Sequence, residues 1–365
     1  MRELDIAERA GVAPLFAYCD HDLAVPAILA GAVTGRVFAD DAVPAQTAMV
    51  QAGRRLYFGG EEVPPDMIVA LAVWFEDEGF PEALASDTDI LAIYGAPVAW
   101  RDALLEMLAD RHPIRVAREV YEGSTGPRDW QSTLPQGFML RLVDEALLGS
   151  GLKRLDDLRE EMCSERPTVE EWLARSFGVC AVHEDELAGW CLSEYNLDDR
   201  CEIGIETCEP YRCRGLGAAM ASALIDEAYQ RGVRRVGWHC YTSNLASAAT
   251  ARKAGLIKVA DCVVYEIWAD RTWGLAVNGN LAMLDGRQEE ALDWLRRAVA
   301  RGDAHRWVLL RAARVAGALG YEEETLAYLQ EALARGGLDR EALIGSPELD
   351  ELRATAMWPR LLARL

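Results

Sequence analysis

The sequence predicts an α/β protein in three parts: a smaller α/β half, a larger α/β domain and an all-α region at the carboxyl end. Short apolar runs alternate with amphipathic stretches in the first part, which is typical of strands alternating with helices. The second part is rich in strands and contains a glycine-rich turn before a long amphipathic helix. The third part repeats itself at a constant spacing. We predict the boundaries 1–122, 123–270 and 271–365.

The first part is predicted to form a β-α-β-α-β arrangement. Its apolar runs have the length of strands, and the stretches between them have the periodicity of helices. The predicted strands are residues 55–59, 89–94 and 114–121, and the predicted helices are residues 66–78 and 97–110. Pro97 and Pro113 bracket the second helix, since proline lacks the N–H group that a helix interior needs. The polar residues 122–127, rich in helix breakers, indicate the boundary.

The second part opens with a mostly helical stretch, which we predict to run from residue 131 to Ser176. It then becomes strand-rich, and the polar residues 183–186 between two apolar runs predict a hairpin. The predicted strands are residues 178–182, 187–192, 201–207, 235–240 and 259–268, and the predicted helices are residues 218–230 and 247–254. This order places the glycine-rich turn between a strand and a helix.

The third part contains two copies of a 34-residue pattern. The recurring residues are Trp273, Leu275, Ala282, Gly286, Glu289, Glu290, Leu292, Leu295, Ala298, Arg301 and Gly302, matched by Trp307, Leu309, Ala316, Gly320, Glu323, Glu324, Leu326, Leu329, Ala332, Arg335 and Gly336. This period, with a glycine between two amphipathic helices, resembles tetratricopeptide (TPR) repeats. Gly279 and Ala291 lie where such repeats pack closely, and residues 338–365 would cap them. Two repeats leave an apolar face uncovered, so the preceding domain or another chain must cover it.

The charge balance excludes two classes of partner. The 365 residues include 38 Lys and Arg against 59 Asp and Glu, a formal net charge of -21. Such a chain repels the phosphates of nucleic acids and anionic membrane surfaces, whereas it attracts a cationic or amine-bearing molecule. The share of hydrophobic residues, 51%, is ordinary for a globular protein and excludes a disordered chain.

Nine cysteines, an odd number, indicate reduced thiols packed as small apolar side chains rather than a disulfide scaffold. No Cys-x-x-Cys pair and no His cluster has the spacing of a metal site, so we predict no metal. The charged residues within positions 1–10 argue against a signal-peptide core, and no uncharged apolar stretch has the length of a membrane span. Reduced thiols favour a cytoplasmic location.

One stretch combines a strand, a basic glycine-rich turn and the start of a helix. It follows the predicted strand 201–207 and contains Arg212, Arg214, Gly215 and Gly217. Such a turn directs backbone N–H groups and the positive end of a helix dipole at one point, which makes an anion site. The glycines let a pyrophosphate approach the backbone, and the arginines add charge-assisted hydrogen bonds. The spacing fits neither a P-loop nor a dinucleotide fingerprint, and taken alone a structural turn is an equal alternative.

The pattern Arg-x-x-Gly-x-Gly at residues 212–217 resembles the coenzyme A pyrophosphate motif of the GNAT superfamily of N-acetyltransferases. The predicted helix, strand and second helix that follow it are also similar in order to that fold. The resemblance covers residues 131–268 well and residues 54–122 as the less conserved α/β half that precedes them. It does not extend to the repeats.

Residues after the turn resemble a subgroup that contains zwittermicin A resistance acetyltransferases. The matching residues are Trp238, Cys240, Asn244, Ser247, Lys253 and Gly255. Two positions depart from the pattern of that subgroup, because His239 replaces an Asp and Leu256 replaces a Phe.

The resemblance implies that acetyl-CoA binds in a cleft where two strands of a mixed central sheet splay apart. These are the strands before the glycine turn and before Asn244. The pyrophosphate would lie on the amides of residues 212–217, and the pantetheine arm would pair with strand 201–207. The residues that would bind the coenzyme are Thr207, Arg212, Cys213, Arg214, Gly215, Leu216, Gly217, Ala218, Asn244 and Ser247.

Acyl transfer to an amine needs a base, since an alkylammonium group must lose a proton before it attacks. Glu202 and Glu206 lie four residues apart on one strand and therefore project from the same face. Glu202 is the preferred candidate, because many GNAT enzymes place their base at about this distance before the turn. The alternative is that both are solvated strand carboxylates. A strand amide near residues 206–208 would stabilise the oxyanion.

The general acid is less clearly indicated. Many GNAT members carry a Tyr seven residues after the motif Asn, and that position is Ala251 in this sequence. His239, Cys240 and Tyr241 are candidates by location, with a structural His as the alternative for the first. Because the CoA thiolate is a tolerable leaving group, a dedicated acid is not required.

The sequence therefore predicts an acetyl-CoA-dependent N-acetyltransferase that acts on a primary amine of a small cationic metabolite or antibiotic. Two alternatives remain open: a protein N-acetyltransferase, and an acyl-CoA-binding interaction protein that uses the TPR-like repeats to bind a partner or a second copy. Acyl-CoA chemistry other than amine transfer also fits the fold.

Overall fold

The strands of the chain form one sheet. A computed structural model describes residues 1–19, 21–86, 89–336 and 339–365, and within these ranges the sheet has twelve strands. They are β1 (Arg2–Glu3), β2 (Arg36–Ala39), β3 (Ala48–Ala52), β4 (Arg55–Gly59), β5 (Ile90–Tyr94), β6 (Ile114–Ser124), β7 (Met139–Leu142), β8 (Gly178–His183), β9 (Glu186–Leu197), β10 (Arg200–Thr207), β11 (Arg235–Tyr241) and β12 (Ile257–Trp268). Their order across the sheet is β1-β2-β3-β4-β5-β12-β6-β11-β10-β9-β8-β7.

The α-helices flank the strands in the first two-thirds of the chain and make up the last third. They are α1 (Ala24–Leu29), α2 (Pro65–Trp74), α3 (Phe80–Leu84), α4 (Val98–Met107), α5 (Glu145–Leu148), α6 (Leu155–Glu165), α7 (Val169–Arg175), α8 (Leu216–Gln230), α9 (Leu245–Lys253), α10 (Arg271–Leu284), α11 (Gln288–Ala300), α12 (Arg306–Ala318), α13 (Glu322–Ala334), α14 (Arg340–Ile344), α15 (Asp350–Arg353) and α16 (Trp358–Leu362). The predicted α/β class and the all-helical carboxyl region are confirmed. Among the described residues, no helix has the length and apolar character that crossing a bilayer requires.

The sheet is mixed, and it splays at one position. Strand β9 pairs antiparallel with both β8 and β10, whereas β10 and β11 run parallel. The parallel pairing covers only Arg200–Glu202 of β10 and Arg235–Gly237 of β11, although both strands continue beyond it. The two strands therefore separate after Glu202 and Gly237 and open a cleft, as predicted.

Short strands account for the main differences from the predicted elements. The eight predicted strands correspond to β4, β5, β6 and β8–β12, whereas β1–β3 and β7 were not predicted. Residues 139–142, placed in a mostly helical stretch by the sequence, form β7 and pair antiparallel with β8. Four residues are too few to show an alternating pattern, so the neighbouring strand decides their conformation.

The chain divides into two compact units. The first contains Met1–Val73, Ala92–Leu104 and Arg115–Tyr265, and the second contains Trp74–Leu91, Leu105–Ile114 and Glu266–Leu365. The predicted boundary at residue 122 lies inside β6. The three-part division of the sequence remains a prediction.

The core of the first unit is built where helices cover β8–β11. Helix α8 buries Leu216, Met220 and Leu224, which are spaced four residues apart and therefore lie on one face. Trp172 of α7 is fully buried in the same cluster. A second cluster in this unit packs α1 against β2 and β3. These layers hold β10 and α8, the two elements that border the cleft.

The second unit contains the repeated helices. Helices α11 and α13 begin at Gln288 and Glu322, 34 residues apart, which matches the predicted period. A side chain at Gly279 would place Cβ 2.9 Å from Leu295 Cγ, so glycine is needed where α10 meets α11. The predicted cap begins at Leu338, which lies outside the described residues.

Candidate functional site

A cavity of about 600 Å³ lies where β10 and β11 separate. It is bordered by the ends of these strands, the turn after β10, the start of α8 and one side of α9. The residues from the sequence prediction that line it are Glu206, Thr207, Arg212, Cys213, Gly215, Leu216, Gly217, Ala218, Asn244 and Ser247. The fold therefore brings together nearly all of the residues that the sequence assigned to coenzyme binding.

The turn that enters α8 has the backbone geometry of an anion cradle. Cys213 and Gly215 have positive φ values of 62° and 84°, and the Arg212 Nε–H donates to the Thr207 carbonyl at 2.9 Å. Gly215 is the N-cap of α8 and offers no side chain to cap it. The first N–H groups of a helix have no partner within the helix, and residues 216–218, which carry them in α8, line the cavity.

Gly217 provides space rather than an unusual backbone conformation. A Cβ at this position would lie 3.4 Å from Thr250 Cγ2 and 3.6 Å from Thr207 Oγ1, which is ordinary van der Waals contact. A methyl group would therefore fit, whereas a longer side chain would fill the space between α8 and α9. The small residue at position 217 therefore keeps this part of the cavity open.

Helix α9 forms the opposite wall of the cavity. Asn244 Oδ1 accepts the Ser247 N–H at 3.0 Å and caps the helix. The Trp238 Nε1–H donates to Ser247 Oγ at 3.0 Å, which ties this helix to β11. Both of the predicted residues thus line the cavity and also hold its wall in place.

Several cavity residues were not predicted from the sequence. They are Ile205, Tyr211, Trp238, Ala246, Ala249, Thr250 and Lys253. The last four recur at spacings of three, one and three residues, so the helical period of α9 could have revealed them. Lys253 is exposed and adds a cation to the rim.

Arg214 is the predicted coenzyme residue that the fold places outside the cavity. Its guanidinium donates to the Pro210 carbonyl at 3.1 Å and lies 5.7 Å from the centre of the Tyr211 ring. This arrangement stabilises the turn itself. A direct role for Arg214 in binding phosphate remains a prediction.

Glu202 lies at the apex of the cleft, where β10 and β11 are last paired. It is only 5% exposed, and its Oε1 accepts the Leu23 N–H at 2.6 Å. Burial raises the pKa of Glu202, although His239 and Arg55 act in the opposite direction. The carboxyl group therefore retains its proton more readily than a solvated one.

His239 stands beside Glu202. Its Nε2 lies 3.6 Å from Glu202 Oε1 and 3.0 Å from the His21 carbonyl oxygen. The other ring nitrogen, Nδ1, is buried and has no hydrogen-bond partner among the described residues. The fold therefore joins these two predicted catalytic residues into one pair.

The other candidate acids have different surroundings. The Tyr241 ring lies 4.7 Å from the guanidinium of Arg118, and Tyr241 does not line the cavity. Cys240 is buried, and burial raises the pKa of its thiol. Ala251, at the position where the family commonly has Tyr, is fully buried.

Further carboxylates occupy the face of the sheet that carries Glu202. Glu194 lies directly opposite Glu202 on β9, and a side chain at Gly204 would collide with its carboxylate. Burial raises the pKa of Glu194, and it raises that of Glu165 to about 7. This face is therefore rich in carboxyl groups that retain protons more readily than solvated ones.

Comparison with known proteins agrees with this geometry. The family model of GNAT acetyltransferases matches residues 13–265. An uncharacterized N-acetyltransferase of Bacillus subtilis, YdfB, is 24% identical over 256 residues, which span 69% of this chain and 90% of that protein.

Two solved structures are similar to the chain. A GCN5-related N-acetyltransferase-like protein from Streptococcus suis has a TM-score of 0.55 at 21% identity and covers 72% of this chain and 98% of its own. A GCN5-related N-acetyltransferase from Sphaerobacter thermophilus has a TM-score of 0.48 at 16% identity and covers 73% of this chain and 95% of its own.

The match to the family model spans more than half of the chain and includes every residue that lines the cavity. The helices from α10 onward lie beyond it. The chain therefore belongs to the GNAT acetyltransferase family, a family of acyltransferases whose acyl donor is acetyl-CoA.

Proposed function

We propose that this enzyme transfers the acetyl group of acetyl-CoA to a primary amine of a small molecule. The observation that carries the proposal is the cavity in the splayed cleft, which is bordered by an anion-binding turn and lined by Glu206, with the buried Glu202 four residues earlier on the same strand. When bound, acetyl-CoA supplies a thioester carbonyl that an amine can attack. The chain has to hold the coenzyme, remove a proton from the amine and exclude water.

The residues of the turn fit the pyrophosphate. The N–H groups of residues 216–218 and the positive end of the α8 dipole provide donors, and Arg212 and Lys253 provide cations on the rim. Strand β10 pairs with β11 only through Glu202, so the backbone of residues 203–207 faces the cleft on that side. This free edge suits the amides of a pantetheine arm.

Glu202 is the proposed general base. An alkylammonium ion has a pKa near 10, so the base must take its proton before the nitrogen can attack. Burial raises the pKa of Glu202, which makes this carboxylate a stronger base than a solvated one. His239 lies 3.6 Å away and provides a second group through which the proton can pass.

Glu206 is the alternative base, because it lines the cavity, whereas Glu202 lies at the last pair of β10 and β11, outside the cavity lining. Among the predicted acids, His239 is the one beside Glu202, with Nε2 3.6 Å from Glu202 Oε1. An acetyl oxygen in the cleft would meet backbone N–H groups of β10, which is the usual kind of oxyanion donor.

The acceptor is a small amine in this proposal. Carboxylates on the face of the sheet around Glu202 and the net charge of -21 favour a molecule with at least one ammonium group. The resemblance of residues around Asn244 to zwittermicin A resistance enzymes suggests an antibiotic or related metabolite. A lysine side chain on a protein would be the acceptor in the alternative.

We propose in addition that α10–α13 form two TPR-like repeats. The 34-residue offset between α11 and α13 and the close approach at Gly279 support this. Repeats of this kind bind peptides or partner chains, so a protein partner or self-association through the second unit is the corresponding proposal.

The experiment that tests the proposed site is a calorimetric titration of the purified protein with acetyl-CoA. Gly217→Glu should abolish binding, because it places a long anionic side chain where the pyrophosphate would lie. Gly126→Glu is the control, since nothing lies within 4 Å of a Cβ at that glycine and its φ is not positive.

Equal affinity of the wild type and Gly217→Glu would place the coenzyme elsewhere and overturn the proposal. Where binding is lost as expected, labelled acetyl-CoA and a library of amines then identify the acceptor. Turnover only on lysine-bearing proteins would replace the small amine by a protein substrate.

A further inference from the structure

Arginine and tyrosine side chains alternate along one wall of the first unit. The Arg55 guanidinium lies 5.5 Å from the Tyr195 ring and 5.3 Å from the Tyr94 ring. The Arg118 guanidinium lies 5.5 Å from the Tyr94 ring and 4.7 Å from the Tyr241 ring. The order Tyr195, Arg55, Tyr94, Arg118, Tyr241, which we call the Arg–Tyr ladder, places two cations between three aromatic rings.

Arg118 is the unusual member of the Arg–Tyr ladder. It is only 7% exposed, and its Nε has no hydrogen-bond partner among the described residues. Among the described residues no carboxylate forms an ion pair with its guanidinium, which lies against the Tyr94 and Tyr241 rings and interacts with Glu194 at longer range. Burying a guanidinium group whose hydrogen-bond donors lack acceptors is costly, so a ligand that supplies an acceptor would offset this cost.

The ladder lies on the face of the sheet that carries the proposed base. Residues directly opposite each other on neighbouring strands project to the same face. Arg118 of β6 is opposite Tyr241 of β11, and Glu202 of β10 is opposite both Gly237 of β11 and Glu194 of β9. Residues 237, 239 and 241 alternate with the others of β11, so Arg118, His239 and Glu202 share one face.

This face therefore carries both cationic and carboxylate side chains. Glu194 is half-buried, and burial raises its pKa although Arg55 and Arg118 act to lower it. A carboxyl group that solvent still reaches but that loses much of its hydration lies in a recess. Arg55, Arg118 and Glu202 all act electrostatically on Glu194, so cationic and carboxylate side chains lie near each other at this position.

We propose that the acceptor carries a carboxylate beside the amine that is acetylated, and that Arg118 binds this carboxylate. The proposal rests on the proposed function and names the substrate class for the same site: an amino acid or an amino-acid derivative. The carboxylates of Glu194 and Glu202 would hold the ammonium end next to the cleft. The carboxylates of Glu194 and Glu202 would repel a dianionic phosphate more strongly than a monoanionic carboxylate, so a ligand group with a single negative charge is favoured.

The test compares acceptors that differ only in the carboxylate. L-lysine is paired with cadaverine and L-ornithine with putrescine, and the same comparison extends to other amino acids and their decarboxylated amines. The full chain is assayed with saturating acetyl-CoA as wild type and as Arg118→Met, which keeps the length of the side chain and removes its charge. Arg115→Met is the matched control, because Arg115 is an exposed residue of the same strand.

We expect the wild type to prefer the amino acid of a pair. In Arg118→Met the KM for the amino acid should rise by about 10- to 100-fold, because one charge-assisted hydrogen bond is lost. The kcat should change much less. The KM of the decarboxylated amine should stay the same, and Arg115→Met should behave as wild type. An unchanged acetyl-CoA titration shows that the variant is folded.

Equal losses for both members of a pair would make Arg118 a structural residue and overturn the proposal. A wild-type preference for the decarboxylated amines would also overturn it. If no amine is acetylated although acetyl-CoA binds, the proposed function fails separately, and titration with N-acetyl amino acids in the presence of CoA still decides the role of Arg118. Saturable binding that Arg118→Met removes would support the carboxylate site, and its absence would exclude it.

Discussion

Glu202 shows how the role of one side chain depends on residues far away in the chain. The alternation of Glu and Ile on β10 predicts which face it occupies. Its hydrogen bond from Leu23, 179 residues earlier, and its proximity to His239 follow only from the fold. Burial, His239, Asp22, Arg55 and the Leu23 N–H all act on the pKa of this group, so its value as a base is a property of the tertiary structure.

Glu202→Gln should lower kcat/KM for amine acetylation by about 10²- to 10⁴-fold while acetyl-CoA still binds. Because a base works only when deprotonated, wild-type activity should fall as pH drops through the raised pKa of Glu202. The variant should lose this dependence on the acidic side. A pH profile of kcat/KM for both proteins, measured with one amine, checks the prediction.

Glu206→Gln is the matched comparison, because Glu206 lies on the same strand and the same face. We expect it to keep the acidic limb of the profile. If the limb disappears in Glu206→Gln and persists in Glu202→Gln, the cavity residue is the base instead of the apex residue.

At the scale of an element, α9 combines two roles. Its first residues are organised by the Asn244 cap and by the hydrogen bond from Trp238 to Ser247. The side of α9 that carries Ala246, Ala249 and Lys253 lines the cavity. A helix end that is poorly capped would fray at the position where the coenzyme arm is expected to lie.

Asn244→Ala should therefore lower the free energy of unfolding by about 1 kcal/mol and weaken acetyl-CoA binding. Asn244→Ser, whose hydroxyl can cap the helix, should recover most of the stability. Denaturant unfolding and calorimetric titration of both variants check this. Equal stability of Asn244→Ala and the wild type would show that the cap contributes nothing measurable.

At the scale of the whole molecule, each compact unit has a core of its own. The residues that line the cavity all belong to the first unit, whereas the buried residues of α10–α13 form a separate cluster in the second. Leu309 of α12 is fully buried in that cluster. Damage to the second core should therefore reduce stability without removing the coenzyme site.

Leu309→Ala should cost about 2–5 kcal/mol of unfolding free energy in the transition that reports the helical region. Leu284→Ala is the control, because Leu284 is 70% exposed. Acetyl-CoA affinity should stay the same in both variants. A parallel loss of stability and affinity in Leu309→Ala would show that the helical region takes part in coenzyme binding.

The sequence by itself determined what depends on neighbouring residues along the chain. The strand, basic turn and helix at residues 201–218 predicted the anion site, because a turn and a helix start are local structures. The period of residues 273–336 predicted paired helices for the same reason. The tertiary structure decided what depends on pairing across the chain: the short strands β1 and β7, the hydrogen bond from Leu23 to the buried Glu202, and the position of Arg118 between Tyr94 and Tyr241. These features have no local signal, since each side chain acquires its surroundings only when distant strands meet.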